Sequence, residues 1–122
     1  MSTPAEEKIS RYESLLQEMW TTSAQYLGAF SVKLLVERVA WEISQDYKEM
    51  ELLYFDENGI SCAEIANAVK INPDIPIDDM FMKFISKYVE ILARLLGYEQ
   101  TNKIASKLKE EFPDFPIDPK EE

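Results

Sequence analysis

The sequence contains no histidine and only one cysteine, Cys62. The missing histidine excludes Ser-His-Asp and Cys-His nucleophiles, His-ligated zinc and a haem held by histidine. A single thiol can form no internal disulfide and no thiolate metal cluster, which favours a reducing compartment, and we expect a cytoplasmic protein. Cys62 is expected to be a small buried apolar residue, with a redox-sensing thiol at a helix N-terminus as the alternative.

Glycine and basic residues are also scarce. Three glycines occur in 122 residues, and no glycine-rich phosphate-binding motif is present. Lys and Arg number 13 against 23 Asp and Glu, so the formal net charge is −10. Phosphate backbones and acidic membrane surfaces would repel such a chain, and no apolar run approaches the ~20 residues of a membrane span. We therefore expect neither nucleic acid nor a membrane as partner, and the acidic start MSTPAEEKIS predicts no signal or transit peptide.

Apolar residues recur every three or four positions along most of the chain, which is the spacing of helices that bury one face. The predicted helices span about 4–28, 31–50, 62–70, 78–97 and 99–111. Thr3 with Glu6 and Ser61 with Glu64 have the form of capping boxes, and Asp78 is the expected N-cap of the fourth helix. That helix is the most apolar one, so we expect it at the centre of the core.

Two segments lack the helical spacing. Residues 52–60 combine an apolar, aromatic run with the turn signal Asp-Glu-Asn-Gly, which predicts a short strand or hairpin. The fold class predicted is therefore mainly α, a four- or five-helix bundle with a short strand or hairpin element near residues 52–60. Residues 1–112 are expected to form a single helical domain, and residues 113–122 an extended acidic C-terminal tail.

One hexapeptide occurs twice with a single difference. PDIPID at 73–78 and PDFPID at 113–118 lie forty residues apart, and each follows a short helix that contains an Ile-Ala pair. An internal duplication is one interpretation. The other is that proline and aspartate commonly follow helices, so that the two copies arose independently.

The second helix carries large apolar residues on two sides. Phe30, Leu34 and Trp41 fall opposite its main apolar stripe, at i, i+4 and i+11. Either the helix is sandwiched inside the bundle, or these residues form an exposed patch that contacts a partner chain, in the first place a second copy. They are the candidate interface residues.

These patterns predict a non-catalytic regulatory or protein-interaction domain that forms a homodimer or binds another protein, without catalytic residues, cofactor or metal. The alternative is a helical sensor that binds an apolar small molecule between the first, second and fourth helices. A helix-turn-helix DNA-binding protein is a further alternative, opposed by the apolar fourth helix. A carboxylate-metal enzyme is another, opposed by the lack of histidine.

Overall fold

The structure, a computed structural model, describes residues 3–117 and is mainly helical with one small hairpin, which confirms the predicted fold class. Its elements are α1 (Pro4–Leu27), α2 (Ala29–Ser44), the short 3₁₀ helix η1 (Lys48–Leu52), β1 (Tyr54–Asp56), β2 (Gly59–Ser61), α3 (Ala63–Ile71) and α4 (Ile77–Glu111). The strands pair antiparallel, with Phe55 opposite Ile60. At the start of α1 the predicted cap forms, because the Thr3 hydroxyl accepts a hydrogen bond from the Glu6 amide at 3.1 Å.

Two glycines turn the chain between helices in the same way. Gly28 separates α1 from α2 with φ 83° and ψ 155°. Gly97 breaks α4 with φ 83° and ψ 165°, as the sequence predicts, and divides it into a first arm, 77–96, and a second arm, 98–111. The second arm folds back on the first, since Tyr88 and Leu92 of the first arm line one small cavity together with Leu108 of the second. The bundle therefore consists of two helical hairpins, each turned at a glycine.

The core is built around α1 and the first arm of α4, which run in the same direction. Lys8 contacts Asp78 near the start of both helices, with 2.8 Å between Nζ and Oδ2. The rings of Tyr12 and Phe81 then stack with centroids 4.5 Å apart. Further along, the buried Tyr88 hydroxyl donates to Ser23 Oγ at 2.8 Å, and burial raises the pKa of Tyr88. These contacts fix the register of the two helices.

The second helix is shorter than predicted. α2 ends at Ser44 rather than near residue 50, and Met50 belongs to η1. An α-helix continued to residue 50 would run about 9 Å further, at 1.5 Å per residue. The turn at 45–47 instead folds η1 back against α2, where Met50 is fully buried. Burial of the Met50 side chain in this position is thus favoured over a continued α2 helix, although the apolar spacing predicts one.

Two predicted helix caps are wrong. Asp78 lies in the first turn of α4, where Pro76 is the N-cap, and its carboxylate accepts hydrogen bonds from α1. The capping box of Ser61 and Glu64 does not form, because α3 begins after Cys62 without a side-chain cap.

The polar stripe of α1 binds β2 and the chain that follows it. Glu13 Oε2 accepts a hydrogen bond from the Cys62 amide at 2.7 Å. One turn later, Gln17 Oε1 accepts one from the Ile60 amide at 2.9 Å. These two side chains of one helix satisfy backbone donors that would otherwise lack a partner.

The two copies of the repeated hexapeptide begin with the same turn. Asn72 and Phe112 are the C-caps of α3 and α4, with φ, ψ of −131°, 91° and −130°, 87°. Each carbonyl then accepts a hydrogen bond from the residue three positions on, Ile75 or Phe115. Phe115 is fully buried, so the packed domain extends beyond residue 112 and the expected extended tail is wrong for 113–117. Residues 118–122 lie outside the described part of the chain.

We expect Gly97→Ala to lower the free energy of unfolding by about 1–3 kcal/mol, because its φ and ψ lie in a region that is essentially restricted to glycine. Apart from its chain neighbours and the nearby backbone of its own helix, no atom of residues 3–117 lies within 4 Å of the added Cβ, so backbone strain causes the loss. Urea unfolding followed by circular dichroism measures the change. Ser106→Ala, exposed on the same arm, is the control and should stay within about 0.5 kcal/mol. Equal stability of both variants would contradict a strained turn.

Candidate interaction surface

α2 separates a buried face from an exposed apolar one. Its inward side chains are Val32, Leu35, Val36, Val39, Ala40 and Ile43. The candidate residues Phe30, Leu34 and Trp41 point the opposite way and are 64%, 49% and 62% exposed. At 100° per residue they fall within about 40° of arc, so they form one stripe along the helix, here called the α2 stripe. A helix sandwiched inside the bundle is therefore wrong for the described chain, since no other element covers the stripe.

The hairpin and the first arm of α4 flank the α2 stripe. On one side β1 contacts α2, and Lys33 Nζ lies 3.6 Å from Glu57 Oε1 at the hairpin tip. Tyr54 of β1 is more than half exposed and donates its hydroxyl hydrogen bond to Asp56. On the other side Glu42 pairs with Lys87 of α4 at 3.4 Å. The stripe is thus bordered by polar and charged residues, as interface centres commonly are.

Two charged residues of α2, Glu37 and Arg38, lie beside the stripe, and only Arg38 has a charged partner among the described residues. Arg38 donates a hydrogen bond to Glu42 at 3.0 Å, which lowers the pKa of the Glu42 carboxyl. Glu37 is exposed, and its carboxylate makes no hydrogen bond or ion pair with any residue of the described range 3–117. The Glu37 carboxylate is therefore available to a positively charged group of a partner.

A cleft of about 460 Å³ opens between α1, the start of α4 and the chain after α4; we call it the α1 cleft. Its lining includes the apolar side chains Leu15, Met82, Phe112 and Phe115, the basic side chains Lys8 and Arg11, and the acidic side chains Asp78, Glu111 and Asp114. Several hundred Å³ is the size of ordinary small-molecule sites. The cleft lies away from the position predicted for a ligand, because no residue of α2 lines it.

The charges at the α1 cleft are partly neutralised within the chain. Asp78 accepts hydrogen bonds from Lys8 at 2.8 Å and from the Tyr12 hydroxyl at 2.7 Å, and these lower the pKa of its carboxyl. Burial and the Asp78 carboxylate raise the pKa of Tyr12. The Arg11 side chain makes no hydrogen bond or ion pair with another described residue, so its guanidinium is available to an anion.

The interior holds little space by comparison. The cavity bordered by Met19, Tyr88 and Leu92 measures about 10 Å³, which is at the lower limit for one water molecule.

Cys62 is buried beside the α1 helix, between β2 and α3. Burial and the Glu13 carboxylate raise the pKa of its thiol to about 12. This favours the interpretation as a small buried apolar residue and opposes a redox-sensing thiolate.

Three further features bear on the alternatives of a metal site, a membrane span and a helix-turn-helix. Among residues 3–117, no three or more His, Cys, Asp or Glu side chains are grouped to hold a metal ion. Within the same range, no helix has both the length and the apolar character to cross a membrane. The connector from α3 to α4 spans five residues, 72–76, and the apolar start of α4 is buried rather than presented to a groove.

Comparison of the chain with protein-family models, with curated proteins and with solved structures finds no match. Any functional interpretation therefore depends on the surfaces described above.

The native Cys62 thiol should be almost fully protonated near pH 8 and shielded from reagents, since its pKa is raised to about 12. We expect it to react with Ellman's reagent at least about 100-fold more slowly in the native protein than in guanidinium chloride. The rate of thionitrobenzoate release measures both states. Equal rates in buffer and denaturant would show that the thiol is accessible and would contradict its burial.

Proposed function

We propose that the protein is a non-catalytic interaction module that self-associates through the α2 stripe, in a regulatory or scaffolding role. The observation that carries the proposal is the exposure of Phe30, Leu34 and Trp41 on one line, opposite the buried face of the same helix. Trp and Phe are enriched in the centres of protein interfaces and depleted from surfaces that remain in water.

The size of the stripe suits the centre of an interface. Full burial of a large apolar side chain contributes about 1.5–3 kcal/mol, and these three are only half to two-thirds exposed. A stable dimer covers about 800 Å² on each partner, more than three side chains provide. Tyr54 of β1, the strand that contacts α2, and the charged residues of α2 beside the stripe would supply the rest.

A second copy is the partner that we favour. Most soluble oligomers are symmetric dimers in which one patch meets the same patch, and a straight stripe on one helix can do so without any change in shape. The net charge of −10 would separate two copies at long range, but it is screened beyond about 8 Å at physiological salt.

Trp41→Glu should convert the dimer to a monomer without unfolding it, because Trp41 is largely exposed in the single chain. A charge in place of an apolar anchor of the stripe should raise the dimer dissociation constant by at least about 30-fold, the effect of losing ~2 kcal/mol. Sedimentation velocity over a concentration series measures the mass.

Ile71→Glu is the matched control, since Ile71 is 87% exposed at the end of α3 and lies outside the α2 stripe. It should leave the dimer intact. A wild-type chain that stays monomeric, or a Trp41→Glu variant that stays dimeric, contradicts self-association through this stripe.

A second candidate function rests on the α1 cleft. Its volume and its apolar lining fit a small molecule with an apolar body, and the Arg11 guanidinium would bind one anionic group against the repulsion of Glu111 and Asp114 in the same lining. The protein would then act as a helical sensor, with the ligand between α1 and the chain after α4 rather than between α1, α2 and α4.

Anilinonaphthalene sulfonate, which has an apolar body and one anionic group, is the probe for that cleft. We expect its fluorescence to rise with the wild-type protein and to fall by more than about half in Met82→Asp, which places a charge in the apolar lining. Leu34→Asp is the control for binding to the α2 stripe. Emission that is lost in Leu34→Asp and kept in Met82→Asp would exclude the cleft as the binding site.

A further inference from the structure

The α2 stripe and Glu37 beside it together have the spacing of a coiled-coil seam. Phe30, Leu34, Glu37 and Trp41 follow one another at intervals of four, three and four residues, the spacing of alternating a and d positions. All four are exposed. Glu37 is the single charged residue in the seam, and a charge at such a position determines which alignments of two helices are tolerated.

We propose that two copies of α2 pair antiparallel, with Phe30 of each copy against Trp41 of the other and Lys33 of each copy against Glu37 of the other. This arrangement rests on the proposed self-association and specifies its geometry. It places two aromatic pairs at the ends of the seam and two ion pairs along one edge.

The direction follows from the position of Glu37. In a parallel, in-register pair, Glu37 would face Glu37 of the second copy across the seam, and like charges at that distance repel. In the antiparallel alignment Glu37 is level with Leu34 of the second copy and next to its Lys33. Antiparallel packing also places opposite ends of the two helix dipoles side by side.

Lys33 and Glu37 lie on the same edge of the stripe. They are four residues apart, about 40° on the helix, whereas Arg38 lies on the other edge. In an antiparallel pair related by a twofold axis, like edges of the two helices face each other. Within one chain the Lys33 ammonium is directed to Glu57, and Glu37 has no partner among residues 3–117. The arrangement gives Glu37 the partner that its own chain does not provide.

Complementary charge reversal tests the pairing. Lys33→Glu alone places two acidic residues at each contact, and Glu37→Lys alone places two basic ones, so each variant should dimerise at least about 10-fold more weakly than wild type. Mixed in equal amounts, the two variants should restore dimers of one copy each. Native mass spectrometry, with one variant labelled with nitrogen-15, identifies the composition.

Two controls separate this geometry from its competitors. Lys70→Glu also removes an exposed Lys–Glu ion pair, the contact with Glu6, and should dimerise as wild type does. Arg38→Glu should likewise remain dimeric in the antiparallel arrangement. In a parallel pair Arg38, at an e position, would instead face Lys33, at a g position of the second copy, so Arg38→Glu would replace a like-charge contact by an ion pair and would dimerise more tightly than wild type.

The outcomes are distinct. Mixed dimers of Lys33→Glu with Glu37→Lys support the antiparallel pairing. A dimeric wild type whose Lys33→Glu and Glu37→Lys variants do not form mixed dimers overturns the pairing while self-association stands. A monomeric wild type overturns the proposed function and the pairing together.

Discussion

The bundle depends on the contact between α1 and the first arm of α4, because α2 packs on both helices and β2 and α3 contact α1. Tyr12 stacked on Phe81 and Tyr88 bonded to Ser23 hold these helices side by side, in the same direction. Gly28 and Gly97 then return the chain at the ends of the two helices. α2 is thereby placed on the outside of the pair, with one face on the core and the α2 stripe facing away from it.

The helices, the two glycine breaks and the hairpin could be predicted because each has a local signal in the sequence. Apolar spacing marks a buried face wherever the buried face is continuous, as in α4. The role of Asp78 and the cap of α3 could not, since a residue distant in sequence decides each one, and the early end of α2 depends on the burial of Met50 in the folded bundle. Glu13 replaces a local cap, and Lys8 and Tyr12 bind the aspartate that would otherwise cap α4.

The candidate surface, too, has features with a local signal in the sequence and features that depend on tertiary structure. Phe30, Leu34 and Trp41 are identifiable from the sequence, because three large apolar residues opposite a buried stripe are unusual on a helix. Sequence could not decide between burial and exposure, which depends on whether another element covers them. The α1 cleft gave no signal beforehand. It exists because Phe115 folds back into the core after α4, although the chain there is rich in proline and aspartate.

Two side chains of α1 accept hydrogen bonds from backbone amides at the hairpin, and these bonds do more than give each amide a partner. Glu13 and Gln17 occupy amides of β2 and the residue after it, at Ile60 and Cys62. A two-stranded sheet with a free border could recruit strands from other chains and start edge-to-edge aggregation. Because side chains of a helix already bind these amides, no strand of another chain can be added to the sheet on that side.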